Sequence, residues 1–253
     1  MQLPGLSLFA FAFLIQAVIP ASAQLPSSGS PGVNAALPKL FGETKAFTAK
    51  CNLRAFDKDQ NETVTANVDF ALLDSKMRID VDMTQLKSKD IPPDASAALK
   101  QMGMDKFISI SRPDKLVTYV VIPGVQSFIN KPMSKEEADA ALKEPKVEKT
   151  AVGKETIDGH PCVKTKLEFT GAQGNKEEAF TWNATDMKDF PVQIQTKDKD
   201  STVILRFKQI QLSKPDGKRF EPPSGFSEYA SEAQMMQGIA TKLLGAGAAE
   251  AKE

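Results

Sequence analysis

The stretch "FTAKCNLRAFDKDQNETVTANVDFALLDSKMRIDVDM" (47–83) decides the fold. In its first part Phe47, Ala49, Cys51, Leu53 and Ala55 alternate with Thr48, Lys50, Asn52 and Arg54. An i, i+2 repeat places the first set on one face of a β-strand. After the polar turn "DKDQNE" (57–62), Val64, Ala66, Val68, Phe70 and Leu72 repeat the pattern. A tight "DSK" turn then leads to Met77, Ile79, Val81 and Met83. Alternating runs joined by short polar turns predict an antiparallel meander with one face buried.

Working outward, "PPDASAALKQMGM" (92–104) breaks the alternation. Prolines open it, Asp94 can cap it, and Ala95, Ala98, Leu99 and Met102 recur at helical spacing. Strands resume at "FISIS" and "LVTYVVI". "SKEEADAAL" (134–142) reads as a second helix, with Ser134 and Glu137 as a capping box and Pro145 ending it. Five further strand candidates follow: "KVEKTAVGKETI", "CVKTKLEF", "EEAFTWNA", "PVQIQT" and "STVILRFKQIQL". The segment 230–253 is expected to be a helical or disordered tail; a helix through Met236, Ala240 and Leu243 would be marginal, because glycines interrupt it. The fold class is therefore α+β: a mostly antiparallel sheet of about ten strands. A sheet that long is expected to curl, and the two inserted helices are expected to cover its concave face.

Upstream, "LSLFAFAFLIQAVI" (6–19) is apolar but shorter than a membrane-spanning helix, and Pro20 and "ASA" (21–23) follow. This is the pattern of a signal peptide (1–23) cleaved before Gln24. It predicts a periplasmic or extracellular protein with no transmembrane anchor in the mature chain. Residues 24–44, rich in Pro, Gly, Ser and Ala, read as a flexible leader with a helical turn around Ala35–Phe41. In the 253-residue chain Lys plus Arg and Asp plus Glu balance at 32 each. Zero net charge argues against nucleic acid as a partner, which calls for a basic surplus.

Three segments carry a family resemblance. "VGKETIDGHPC" (152–162) resembles a G-x-E-x-I-x-G hairpin, and "WNATDMKDFPV" (182–192) a strand, polar turn and hydrophobic-Pro-hydrophobic strand start. "FEPPSGF" (220–226) resembles a closing F-x-x-P-x-G-aromatic segment. In this order and spacing they resemble the LolA/LolB-like superfamily over residues 45–229, closest to a secreted branch of unknown function. The resemblance implies an incomplete β-barrel whose concave face, lidded by helices, holds acyl chains of lipids or lipoproteins. It carries over no gating arginine, since Arg54 and Arg78 lie off that position. The receptor branch of the superfamily is a lipoprotein, and no cysteine stands at the cleavage site here.

The chemistry-bearing residues are few. His160 is the only histidine and stands two positions from Cys162. A metal centre there needs further ligands, and Cys51 is the only other thiol. A Cys–His nucleophile needs a third, orienting group. "DGHPC" is therefore read as a hairpin turn. "DKDQNE" lacks the Gly and Glu of a calcium loop at its sixth and twelfth positions, where Glu62 and Val68 stand. No catalytic set, metal site or cofactor is expected, and the protein reads as a non-enzyme.

Two thiols in an exported chain are expected to pair, Cys51 with Cys162. Cys162 is in phase with Lys164, Lys166 and Glu168, so the pairing needs a bulge after Pro161 to turn it inward. The rows Phe47 and Leu53, Val68, Phe70 and Leu72, and Met77, Ile79 and Val81 are expected to face Leu99 and Met102 of the first helix across an apolar cavity. Met77, Met83, Met102, Met104 and Met133 would give that cavity a pliable lining. The expected function is binding of a lipid, a lipoprotein acyl chain or another long apolar ligand, with an envelope protein as a candidate partner. The alternative is a structural or protein-interaction module of the same fold with its cavity filled.

Overall fold

The computed structural model describes residues 37–88, 92, 95–142, 147–170, 176–197 and 201–250. The expected signal peptide, most of the leader, the Asp94 cap and Pro145 lie outside the described residues. The deciding stretch forms β1 (Ala46–Asp57), β2 (Glu62–Leu73) and β3 (Lys76–Asp82). The meander register pairs Phe47 with Leu72, Ala49 with Phe70 and Cys51 with Val68 across β1 and β2. Phe70 then pairs with Ile79, and Val68 with Val81, across β2 and β3.

After β4 (Lys87–Ser88) comes helix α1 (Ala95–Gln101), then β5 (Lys106–Arg112), β6 (Val117–Ile122) and β7 (Ser127–Pro132). Two similar turns join these last strands. Each is a one-turn 3₁₀ segment opened by proline, Pro113–Lys115 and Pro123–Val125. Each is closed by a left-handed residue, Leu116 or Gln126, whose N–H returns to the proline carbonyl. Helix α2 (Lys135–Leu142) is capped as its sequence predicts. The Ser134 N–H donates to Glu137 Oε2 at 2.8 Å, and the Glu137 N–H donates to Ser134 Oγ at 3.1 Å.

The second half runs β8 (Val147–Ile157), β9 (His160–Thr170), β10 (Lys176–Ala184), β11 (Phe190–Lys197) and β12 (Ser201–Gln211). Short β13 (Ser227–Tyr229) and helix α3 (Glu232–Glu250) follow. The thirteen strands among the described residues belong to one curved, unclosed sheet in the order β13-β7-β6-β5-β3-β2-β1-β12-β11-β10-β9-β8, with β4 beside β2. That count corrects the expected figure of about ten. The additions are β7 and the two short strands β4 and β13, and β13 pairs in parallel with β7. β7 escapes the alternation rule because Ser127 is buried; its hydroxyl donates to the Val125 carbonyl at 2.9 Å.

The buried residues form three clusters. The first gathers the inward rows of β1, β2, β11 and β12 under the 3₁₀ turn Leu37–Phe41. The second joins Met83, Leu99, Met104, Ile122, Ile129, Met235 and Ile239. The third, around Ile110, Val121 and Phe220, lies under the C-terminal turn Gly217–Phe220.

The helices do not cover the first cluster as expected. At seven residues α1 is about 10 Å long, and it delivers Leu99 to the second cluster instead. α2 buries only alanine, Ala138 and Ala141, among its described side chains. The cover over the first cluster is Leu37, Leu40 and Phe41.

Candidate functional site

The expected cavity residues divide between two places. Phe47 and Leu72 are fully buried, Val68 and Phe70 nearly so, and Leu53, Met77, Ile79 and Val81 pack at the margin of the same cluster. Leu99 is buried in the second cluster, and Met102 packs against it. Val81 and Leu86 border both clusters and are the link between them. The ten expected residues thus belong to two clusters joined by that link.

The first cluster is filled by aromatic rings. Phe41 packs against Phe47, Phe70, Phe190 and Phe207 at centroid distances of 4.6, 5.6, 5.8 and 5.3 Å. Phe47 stacks on Phe70 at 5.4 Å, with the ring planes 13° apart. Offset and edge-to-face arrangements are the preferred ones for packed aromatic rings. Phe41 escaped the alternation reading because it enters from a turn outside the strands.

The second cluster borders open space. A groove of about 390 Å³ lies between the C-terminal end of α1, the Pro123–Val125 turn and α3. Met102, Val125 and Ile239 contribute apolar lining, and Lys100 and Gln101 polar lining. Gly103 and Gly124 line it as well. Gly103 has φ +68°, and a Cβ on Gly124 would overlap the Gly103 carbonyl. The two turns meet backbone to backbone, which only glycine allows. Met83, Met104 and Met235 are buried here, and Met102 and Met236 partly so. Five of the chain's nine methionines thus belong to the second cluster, and Met102 among them lines the groove. Of the methionines expected there, Met77 packs on the first cluster instead, and Met133 belongs to neither. Met235 and Met236 join from a helix whose packing face the sequence placed one residue off.

The cysteines are unpaired, which corrects the expected disulfide. Cys51 stands opposite Val68 and Phe207, whereas Cys162 stands opposite Ala184 and Glu155. Strands β12, β11 and β10 lie between them. Each strand step is about 4.8 Å, and a bridge needs Cα atoms within about 7 Å. Burial pushes the Cys51 thiol up to about 12, and burial also raises Cys162. Burial thus disfavours the thiolate, the reactive form, at both positions. Lys164, in phase with Cys162, lies over Trp182 at 4.7 Å and Phe180 at 5.6 Å, so that face is not simply polar.

"DGHPC" is a turn, as read. Asp158 and Gly159, with φ +49° and +89°, form the two-residue loop between β8 and β9. His160 Nδ1 lies 2.9 Å from Asp186 Oδ2 in the next turn. Among the described residues no group of three or more His, Cys, Asp or Glu side chains is placed to hold a metal. No helix among them is long and apolar enough to cross a membrane.

No family model and no curated protein matches this chain. Among solved structures it is similar to the Mycobacterium tuberculosis lipoprotein LppX, with 14% identity and a TM-score of 0.39 over 70% of this chain and 92% of that one. It is similar to a LolA superfamily protein from Nitrosomonas europaea, with 9% identity and a TM-score of 0.36 over 81% and 96%. It is also similar to LprF from Mycobacterium bovis, with 14% identity and a TM-score of 0.34 over 74% and 99%. At TM-scores below 0.5 the likenesses carry no argument about function, which rests on this chain's own geometry.

Proposed function

We propose that this protein is an exported, non-enzymatic binder of a single apolar chain, such as the acyl chain of a lipid or lipoprotein. The chain is taken at the groove between α1, the Pro123–Val125 turn and α3, not among the rings of the first cluster. The observation that supports this reading is the groove of about 390 Å³ beside Met102, Val125 and Ile239. Its volume is at the low end of the roughly 300–1,000 Å³ of small-molecule sites. Unbranched methionines let such a wall adapt to a flexible chain, and each buried CH₂ contributes about 0.8 kcal/mol. Residues 1–23 direct export and are removed in the course of it, so N-terminal sequencing of the mature protein should begin at Gln24.

Native mass spectrometry of the exported chain, purified without detergent, tests the reading. A lipid-sized mass increment that organic extraction removes is expected. Met102→Asp, at the partly buried wall, should abolish it while leaving the melting curve close to that of the unaltered protein. The aromatic filling of the first cluster favours a second reading, a scaffold or protein-interaction module. A clean apo mass with no uptake of a fluorescent fatty acid would decide for that module.

A further inference from the structure

We propose that the occupant of the groove is a long-chain carboxylate and that Lys100 selects its head. This rests on the reading just given and adds the chemical class of the ligand. The lining is mixed in polarity. Met102, Val125 and Ile239 are its apolar members, and Lys100 and Gln101, consecutive residues at the end of α1, are its polar side chains. No carboxylate lines the groove among the described residues. Lys100 is exposed, and no ion pair engages it among the described residues. Several other lysines are matched: Lys50 to Asp69 at 2.5 Å, Lys115 to Glu221 at 3.0 Å, and Lys166 to Glu178 at 2.7 Å.

A wholly apolar chain would leave the ammonium and the neighbouring amide without a ligand partner. An amphiphile with an anionic head satisfies both, the ammonium by charge and the Gln101 amide N–H groups by donation. One cation balances one negative charge, which suits a carboxylate better than a phosphate monoester. The groove volume suits one chain rather than several. Gly103 and Gly124 line the groove without adding a side chain to it.

The test compares cis-parinaric acid with its methyl ester, which has the same fluorescent chain without the charge. Binding is measured at low ionic strength on the unaltered protein, K100Q, K100R and K58Q. The acid should bind about two- to fivefold more tightly than the ester, as an exposed ion pair allows. K100Q should bring that ratio to about one, K100R should keep it, and K58Q, at a turn of the sheet, should leave it unchanged. Salt at 0.15 M should shrink the preference. Equal binding of acid and ester by the unaltered protein, or a preference that survives in K100Q, overturns the role of Lys100 and leaves apolar binding standing. Failure of both probes to bind overturns the underlying reading as well.

Discussion

Arg112 donates a hydrogen bond of 3.1 Å from Nη1 to the main-chain carbonyl of Phe220, which lies 108 residues further along the chain. Its side chain is 8% exposed. Nε and Nη2 grip Asp114 at 2.8 and 2.7 Å, and Nη1 also reaches Glu221. One strand away, Arg78 donates to the Arg219 carbonyl at 2.8 Å. The turn Gly217–Phe220 is thus strapped across β3 and β5 by two guanidinium groups, with Phe220 buried beneath it.

Arg112→Met should release the strap. It leaves the Phe220 carbonyl short of a donor and two carboxylates short of a cation. Both carboxylates are more than a third exposed, so water offsets part of the loss. The expected cost is about 1–3 kcal/mol, read as a lower midpoint in urea unfolding at pH 7.

The same cluster makes stability sensitive to acid. The Arg112 hydrogen bond holds the Asp114 carboxyl below its usual range. Burial would raise Glu221, but hydrogen bonds from Lys115 and Arg112 outweigh it and hold that carboxyl low too. Groups depressed in the folded state stabilise it above their unfolded pKa, and the benefit is lost as pH falls through the folded value. Urea midpoints should therefore drop below about pH 4. Arg112→Met should drop less steeply, keeping the share due to Asp82, whose carboxyl the Thr84 hydroxyl holds low.

Thiol counting should find two free thiols in denatured, unreduced protein. In the native state at pH 8 a disulfide reagent should react with neither rapidly, because burial keeps both protonated. A count of zero would mean that the sheet brings β1 and β9 much closer than three intervening strands allow.

Phe41→Ala should cost about 3–5 kcal/mol, the range for deleting a buried aromatic side chain. Phe41 touches four other rings, so the hole it leaves cannot collapse easily. Thermal unfolding measures the loss. If the second reading is correct, the variant should gain no apolar ligand; if the hole is accessible, it should take up a small one.

The strands were legible wherever one face is wetted and the other buried, because that asymmetry writes a period of two into the chain. β1 and the first part of β2 show it most plainly. β7 did not show it, since Ser127 is buried by a local hydrogen bond rather than by apolarity. The site was less legible. Phe47, Phe70 and Leu72 face inward as their phase requires, but phase cannot tell whether an inward row lines a space or fills it. That outcome depends on Phe41, which arrives from outside the pattern. The groove depends on a meeting of Gly103 with Gly124, two turns with no periodic signal in common. The cysteines failed for a related reason, because phase fixes a face but not the number of strands between two residues.

Strand β1 lies between β2, its neighbour in sequence, and β12, near the far end of the chain. Thr48 and Gln211, paired across that seam, are 163 residues apart. Each half of the sheet is largely a run of hairpins that can form on the order of microseconds. The seam cannot close until residues 201–211 are present, and it carries the large loop entropy of a distant contact. Docking of the two halves is therefore the expected slow step of folding. Until it occurs, one edge of β1 stands unpaired beside the apolar row Phe47, Ala49, Cys51 and Leu53. A chain truncated before residue 201 keeps that edge open permanently, and its expected fate is strand pairing with another copy and aggregation.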